Sequence, residues 1–142
     1  LNKTGMLSGQ FPFYRVYKTS DNRFMALGAL EKKFWKEFCK GIERPDLIDL
    51  HDGSNLDKLE ELHDVIENII EGEDQKSWIN LFQDIDACFT PVMPLDEAIN
   101  HPHLIERSIV FESTHPEEGT LRQFALPIKM TNFEFQNYLP AP

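Results

Sequence analysis

The sequence is poor in cysteine, in long apolar runs and in positive charge, and each shortage excludes a class of protein. Two cysteines, Cys39 and Cys88, cannot build a disulfide framework, so we expect buried, reduced thiols in a cytoplasmic or other intracellular protein. No uncharged run approaches the roughly 20 apolar residues that a membrane-spanning helix needs. The 24 acidic residues outnumber the 14 basic ones, which gives a net charge of −10 and no basic footprint for nucleic acid. We therefore expect neither a membrane nor a nucleic-acid partner.

The remaining composition is ordinary for one compact domain. Hydrophobic residues make up 41% and charged residues 27% of the 142 positions, which is enough apolar content for a core. Residues 1–12 contain glycine and proline without periodicity and are predicted to be a linker. The chain begins with Leu1 rather than Met, so we expect it to be a piece of a longer protein.

Three apolar segments have the character of strands. Residues 13–19 are aromatic and β-branched, and residues 24–30 (FMALGAL) are apolar throughout, which predicts a strand buried on both faces. The turn-forming residues between them predict a hairpin. Residues 87–93 are predicted to form a third strand, which Pro91 places at a sheet edge or bulge.

Helical signals fill much of the rest of the chain. Apolar stripes and start signals predict five helices: residues 32–40, residues 56–71, a shorter helix that Asp74 caps, residues 95–100 and residues 101–107. The polar residues 45–55 are predicted to form a loop, and residues 109–114 and 121–130 a second hairpin. Because hairpins dominate a mixed order of elements, the fold class is predicted to be α+β, an antiparallel sheet packed with helices.

Few residue patterns point to chemistry. The pair His101 and His103 has no Cys or acidic partner at ligand spacing, so no metal site is predicted. No glycine-rich phosphate loop and no nucleophile-elbow motif is present. Glu31 differs, because it directly follows an apolar strand and begins a helix whose dipole stabilises its charge. It is either a functional carboxylate or an ordinary helix-start acid, and local sequence leaves both open.

Two blocks of sequence carry a resemblance to a known family. The first, residues 12–47, is PFYRVYKTSDNRFMALGALEKKFWKEFCKGIERPDL, in which an aromatic strand, a turn, an apolar strand and a helix lead to Pro-Asp-Leu. The second, residues 77–110, contains DACFTPV, LDEA and HPHLIER. In order and spacing, the two blocks resemble the α-methylacyl-CoA racemase branch of the family III CoA-transferase superfamily.

Three positions depart from the family pattern. Asn22 stands in the turn where Gly is usual, and Asn tolerates the left-handed conformation, so the turn is expected to survive. Lys32 stands where Pro is frequent, and Ser108 replaces the Gly that usually follows the arginine. None of these departures removes the candidate site residues.

The resemblance implies the C-terminal portion of a longer enzyme. Residues 13–114 would be the small α+β domain of the family fold, and residues 115–142 a strand and tail that return to a missing large domain. That large domain would bind CoA and carry a proton-transferring His and Asp, to which none of the five histidines here corresponds. The implied reaction inverts the 2-methyl-bearing α-carbon of an acyl-CoA thioester. The family enzyme is expected to be an interlocked homodimer. CoA is expected only as part of the substrate, and no separate cofactor is expected. The isolated chain is predicted to be inactive.

Site residues follow from the same resemblance. Glu31 would hydrogen-bond the family's catalytic His, and Gly28, Ala29 and Leu30 would line the acyl end, where small side chains leave room for a branched chain. The Gly-Ala-Leu-Glu sequence matches the racemase form, since members that transfer CoA between acids usually lack this Glu. Two alternatives stay open: a CoA-transferase acting on carboxylic acids, and a non-enzymatic acidic module for interaction or dimerisation.

Overall fold

The computed structural model describes residues 8–53 and 56–133, without the side chains of residues 56 and 57. Contacts divide the chain into two compact units, Leu1–Val92 and Met93–Pro142. Residues 1–7 of the predicted linker and residues 134–142 of the predicted tail lie outside the described residues. The predicted domain ranges, which refer to a larger protein, stay a prediction.

A three-stranded antiparallel sheet forms the frame of the first unit. Its strands β1 (Tyr14–Lys18), β2 (Phe24–Gly28) and β3 (Phe89–Val92) lie in the order β1-β2-β3. The predicted hairpin is confirmed, and Asn22 adopts the left-handed φ of 61° that a turn residue of this type tolerates. Pro91 lies in the edge strand β3, where a missing N–H costs no ladder bond.

The prediction that β2 is buried on both faces is wrong. Met25 and Leu27 are buried, whereas Phe24 on the other face is 44% exposed. Successive side chains of a strand point to opposite faces, so helices on one side of a sheet cover only every second residue. Although the residues of β2 are all apolar, one face of the strand packs on the core and the other face is open among the described residues.

Three α-helices and one short 3-10 helix accompany this sheet. The helices are α1 (Lys32–Gly41), α2 (Leu56–Glu71), α3 (Gln75–Phe82) and the 3-10 helix Pro45–Leu50. Asp74 caps α3 as predicted, because its carboxylate accepts a 2.7 Å hydrogen bond from the Ser77 N–H. Within the described part of the chain, no helix has both the length and the apolar character to cross a bilayer.

The 3-10 helix lies where a loop was predicted. Leu47 on this helix is buried, and its carbonyl accepts a 3.0 Å hydrogen bond from the Trp35 indole. Arg44 and Asp46 pair through two hydrogen bonds at the start of the helix. The turn is thus fixed by contacts with α1, which a local pattern of polar residues does not reveal.

Aromatic side chains make up much of the first unit's core. Phe82 lies 4.9 Å from Phe89 and 5.8 Å from Phe38, measured between ring centroids. The second tryptophan, Trp78, is buried and donates its indole N–H to the Ile70 carbonyl at 2.9 Å. Cys39 is buried as predicted, and burial raises the pKa of its thiol to about 12, so it stays protonated at neutral pH.

The second unit consists of two short helices and a hairpin. Its elements are α4 (Leu95–Ala98), α5 (Pro102–Glu106), β4 (Val110–His115) and β5 (Gly119–Phe124). The predicted second hairpin is confirmed, although β5 starts earlier and ends sooner than the expected residues 121–130, since Pro127 cannot continue the ladder. None of the described residues of this unit is buried. The α+β class holds for the chain as a whole.

Candidate functional site

Glu31 lies at the junction between the sheet and the first helix. It is the N-cap residue of α1, and its backbone carbonyl accepts hydrogen bonds from the N–H groups of Phe34 and Trp35. Its side chain makes no capping hydrogen bond and is exposed. The positive end of the helix dipole stabilises a negative charge at this place. A carboxylate in this position can therefore accept a hydrogen bond from a group outside the described chain.

The three residues before Glu31 have different environments. Gly28 donates its N–H to the Cys88 carbonyl at 2.8 Å, at the end of β2. Ala29 is fully buried in the core, and Leu30 is partly buried against it. Within the described residues, only Gly28 of the three faces an open groove. The acyl-binding role of all three stays a prediction.

The groove lies on the open face of the three-stranded sheet and has a volume of about 440 Å³. Residues that line it include Tyr14, Arg15, Ala26, Gly28, Cys88 and Thr90. The lining thus combines two small residues of β2 with residues that carry hydroxyl, guanidinium and thiol groups. Such a surface accommodates an apolar chain and offers hydrogen-bond donors at its margin.

Cys88 is exposed, and the prediction that both cysteines are buried is wrong for it. Ala87 and Phe89 on either side point into the core, so the residue between them points outward. Cys88 also adopts a left-handed φ of 49°, which is uncommon for a residue other than Gly or Asn. This backbone turn places the thiol at the groove.

Neighbouring charged groups affect the Cys88 thiol. Partial burial raises the pKa of the Cys88 thiol, and the negative charges of Asp86 and Glu31 raise it further, against a smaller opposite effect of Lys33. The carboxylate of Glu31 therefore acts on a side chain that lines the groove. A thiol in this environment is protonated at neutral pH, which makes it a poor nucleophile.

His51 lies in the segment predicted to be a loop, and the sequence pattern gives it no functional role. In the structure its Nε2 lies 3.0 Å from the carbonyl oxygen of Ala29, two residues before Glu31. Its ring centroid lies 4.1 Å from that of Phe13 and 5.9 Å from that of Trp35. The contact joins residues 22 positions apart, so no local signal could have found it.

The described residues contain one group with three potential metal ligands, His63, Asp64 and Glu67 on α2, whose ligand atoms lie within 4.8 Å of one another. Both acids are exposed, and the His63 ring stacks on Tyr17 at 5.7 Å, as expected for a packed histidine. The three residues are neighbours on α2, and in sequence they lie far from the junction between β2 and α1 that carries Glu31. His101 accepts a hydrogen bond from the His103 N–H as the cap of α5, which is a structural contact.

Comparison with known proteins identifies the family. Residues 2–142 match the sequence profile described as CoA-transferase family III. The human protein named alpha-methylacyl-CoA racemase is 34% identical over 102 residues, which is 72% of this chain and 26% of the human protein. The mouse protein of the same name is 36% identical over 108 residues, 72% of this chain and 27% of its own length. This chain thus spans about a quarter of these curated relatives.

The solved structures agree on the fold. The crystal structure of Rv3272 from Mycobacterium tuberculosis superposes with a TM-score of 0.63 at 18% sequence identity. The superposition covers 84% of this chain and 35% of that protein. At this identity the likeness concerns fold alone, whereas the profile match covers nearly every residue. The chain belongs to CoA-transferase family III.

Proposed function

We propose that this chain is part of an acyl-CoA racemase, an isomerase that inverts the α-carbon bearing the 2-methyl group of an acyl-CoA thioester. The observation that carries the proposal is the exposed carboxylate of Glu31 at the start of α1, three residues after Gly28, which lines the groove. Identities of 34% and 36% to proteins named alpha-methylacyl-CoA racemase support the choice of reaction.

The chemistry requires two proton-transferring groups on opposite faces of the α-carbon. One base removes the α-proton, the thioester carbonyl takes up the charge as an enolate, and an acid returns a proton to the other face. Groups that remove and return a proton at neutral pH need pKa values shifted towards neutrality. In the proposed enzyme both groups belong to the part of the protein beyond this chain. Glu31 hydrogen-bonds the histidine of the pair and stabilises its charged form, and the groove beside Gly28 receives the acyl end.

Further features belong to the same proposal. The partner molecule is the acyl-CoA substrate, no cofactor is needed beyond its CoA, and the full-length protein is a homodimer in a cytoplasmic or other intracellular compartment. The isolated chain has no racemase activity, because it lacks both proton-transferring groups. Proton exchange by the purified 142-residue chain would contradict this part of the proposal.

Replacing Glu31 by Gln in the full-length protein tests the proposal. Glu31→Gln keeps the shape and removes the charge, so we expect kcat for α-proton exchange to fall by about 100-fold or more while KM changes little. The measurement is deuterium incorporation into a 2-methylacyl-CoA in D₂O. Glu37→Gln on the same helix, where Glu37 pairs with Lys40, is the matched control. Unchanged exchange in Glu31→Gln would remove Glu31 from the mechanism.

A CoA-transferase acting on carboxylic acids is the second candidate. It is favoured by the description of the matching family, CoA-transferase family III. Transfer of labelled CoA from an acyl-CoA to a free acid, without exchange of the α-proton, would support the transferase and contradict the racemase. Exchange of the α-proton without transfer would support the racemase.

A further inference from the structure

The short connection between β2 and α1 holds a carbonyl that needs a hydrogen-bond donor. Strand β2 ends at Gly28, so the carbonyl of Ala29 lies beyond the ladder of the sheet. Helix α1 begins at Lys32, with Glu31 as its cap. Ala29 is fully buried, and a buried carbonyl without a donor is destabilising.

His51 supplies that donor. Its Nε2 lies 3.0 Å from the Ala29 oxygen. A carbonyl oxygen only accepts hydrogen bonds, so the geometry requires the proton of a neutral His51 to be on Nε2. The ring is held in place by Phe13 and Trp35, whose centroids lie 4.1 Å and 5.9 Å away. Trp35 in turn is anchored by its indole hydrogen bond to Leu47, on the 3-10 helix that precedes His51.

We propose that His51 is a positioning residue for Glu31: its Nε2–H group fixes the backbone that carries the Glu31 carboxylate. The catalytic part of this inference rests on the proposed function, and the structural part does not. His51 does not touch the substrate. It acts through the Ala29 carbonyl on the residue two positions further along the chain.

Hydrogen bonds fix the backbone of this connection at three points, and the contact with His51 is the middle one. The Gly28 N–H is tied to Cys88, the Ala29 carbonyl to His51, and the Glu31 carbonyl to the first turn of α1. Removing the middle one leaves the buried Ala29 carbonyl without this donor, and the backbone that leads to Glu31 can then shift although Leu30 still packs against the core. A displacement of about 1 Å at a catalytic group reduces rate by up to about 100-fold, so a small relaxation is sufficient for a large effect.

Two variants separate the hydrogen bond from the packing. His51→Leu keeps an apolar side chain against the aromatic rings and removes the donor. His51→Gln retains a side-chain N–H at a similar distance from the backbone. His103→Leu is the matched control, because His103 is an exposed histidine on α5 in the second unit. Thermal unfolding of each variant establishes that it remains folded before it is compared.

The structural part is tested by NMR on the 142-residue chain. Long-range ¹H–¹⁵N correlation at alkaline pH is expected to show His51 with its proton on Nε2. His51→Leu is expected to shift the amide resonances of Leu30 and Glu31, His51→Gln to shift them less, and His103→Leu to leave them unchanged. A proton on Nδ1, or unchanged Leu30 and Glu31 resonances in His51→Leu, would overturn the proposal.

The catalytic part is tested in the full-length protein by α-proton exchange. We expect His51→Leu to lower kcat by about tenfold or more with KM within about twofold, and His51→Gln to recover most of the loss. Equal losses in both variants, or a change confined to KM, would overturn the positioning role. Absence of exchange in the wild-type protein would overturn the proposed function and the catalytic role of His51 with it, while the NMR result would still decide the structural part.

Discussion

At the scale of single residues, Asp21 joins separate segments of the first unit through one carboxylate oxygen. Its Oδ1 accepts hydrogen bonds from the Thr19 hydroxyl at 2.5 Å, the Gln75 N–H at 3.3 Å and the Arg23 N–H at 3.4 Å. The side-chain amide of Gln75 then donates to the carbonyls of Phe24 and Val92. The β1–β2 turn, the start of α3 and the edge strand are thereby held together.

Asp21 is predicted to contribute to the pH dependence of stability. The hydrogen bond from Thr19, followed by those from Gln75 and Arg23, holds the pKa of Asp21 below its ordinary value of 3.8. The folded state thus favours the carboxylate, and its stabilisation is present above about pH 4 and is lost as the pH falls through the folded pKa. Asp21→Asn removes this titration, so its urea midpoint is expected to fall less steeply below about pH 4 than that of the wild type.

The control for this prediction is Asp84→Asn, a substitution at an exposed acid. Urea unfolding is followed from about pH 6 to about pH 2, the range in which a carboxylate with a lowered pKa titrates. Asp84→Asn is expected to reproduce the wild-type slope. Equal slopes for wild type and Asp21→Asn would show that Asp21 does not bind its proton more weakly in the folded state.

At the scale of elements, the end of α1 packs closely on α3. A Cβ added at Gly41 would lie 2.6 Å from Cζ and 2.8 Å from Cε1 of Phe82. Phe82 is buried between Phe38 and Phe89 and cannot move aside easily. In a free helix, Ala would be favoured over Gly by about 0.5–1 kcal/mol. Here the overpacking, which costs about 1–3 kcal/mol, is larger.

Gly41→Ala is therefore predicted to lower the free energy of unfolding by about 1 kcal/mol or more, measured by urea denaturation. In the Phe82→Leu background the ring atoms that clash are absent. We expect the penalty of Gly41→Ala to disappear or change sign there, which gives a coupling energy between the two positions. A penalty that is the same in both backgrounds would assign the effect to the helix backbone rather than to the contact with Phe82.

Elements with local signals could be predicted from the sequence. The β1–β2 hairpin follows from two apolar segments around a turn, and α3 follows from its Asp74 cap. Two features could not be predicted in this way. The 3-10 helix depends on a hydrogen bond from Trp35, and the open face of β2 depends on how many layers cover the sheet. Both are consequences of contacts between residues distant in sequence.

The residues of the candidate site differ in the same way: some have a local signal in the sequence, and others depend on contacts with distant residues. Glu31 was found from its place between an apolar strand and a helix, together with the family resemblance. His51 was missed because its partner, the Ala29 carbonyl, carries no side-chain signal and lies 22 residues away. The exposure of Cys88 could not be predicted from its apolar neighbours Ala87 and Phe89, because it depends on the left-handed backbone turn that Cys88 makes just before β3.

At the scale of the whole molecule, the two units differ in how they are stabilised. The buried hydrophobic residues of the described chain all belong to the first unit, from Phe13 to Phe89. The second unit exposes large apolar side chains among its described residues: Leu95, Ile105, Phe124, Leu126, Ile128 and Met130. With no buried side chain among its residues 93–133, the second unit gains little there from the hydrophobic effect.

The units are therefore predicted to behave differently when separated. A chain of residues 1–92 is expected to unfold cooperatively in urea, because it retains the core described above. A chain of residues 93–142 is expected to show no cooperative transition by circular dichroism. Cooperative unfolding of the second chain alone, or failure of the first to fold, would contradict this assignment of stability.

The indole hydrogen bonds described above have a spectroscopic consequence. The only two tryptophans, Trp35 and Trp78, are buried, and each N–H is paired with a carbonyl in the first unit. Their ultraviolet emission is therefore expected at short wavelength in the native protein, and it should shift to longer wavelength only when water reaches this core. Tryptophan fluorescence reports on Leu1–Val92, and the melting of Met93–Pro142, which contains no tryptophan, has to be followed by another signal.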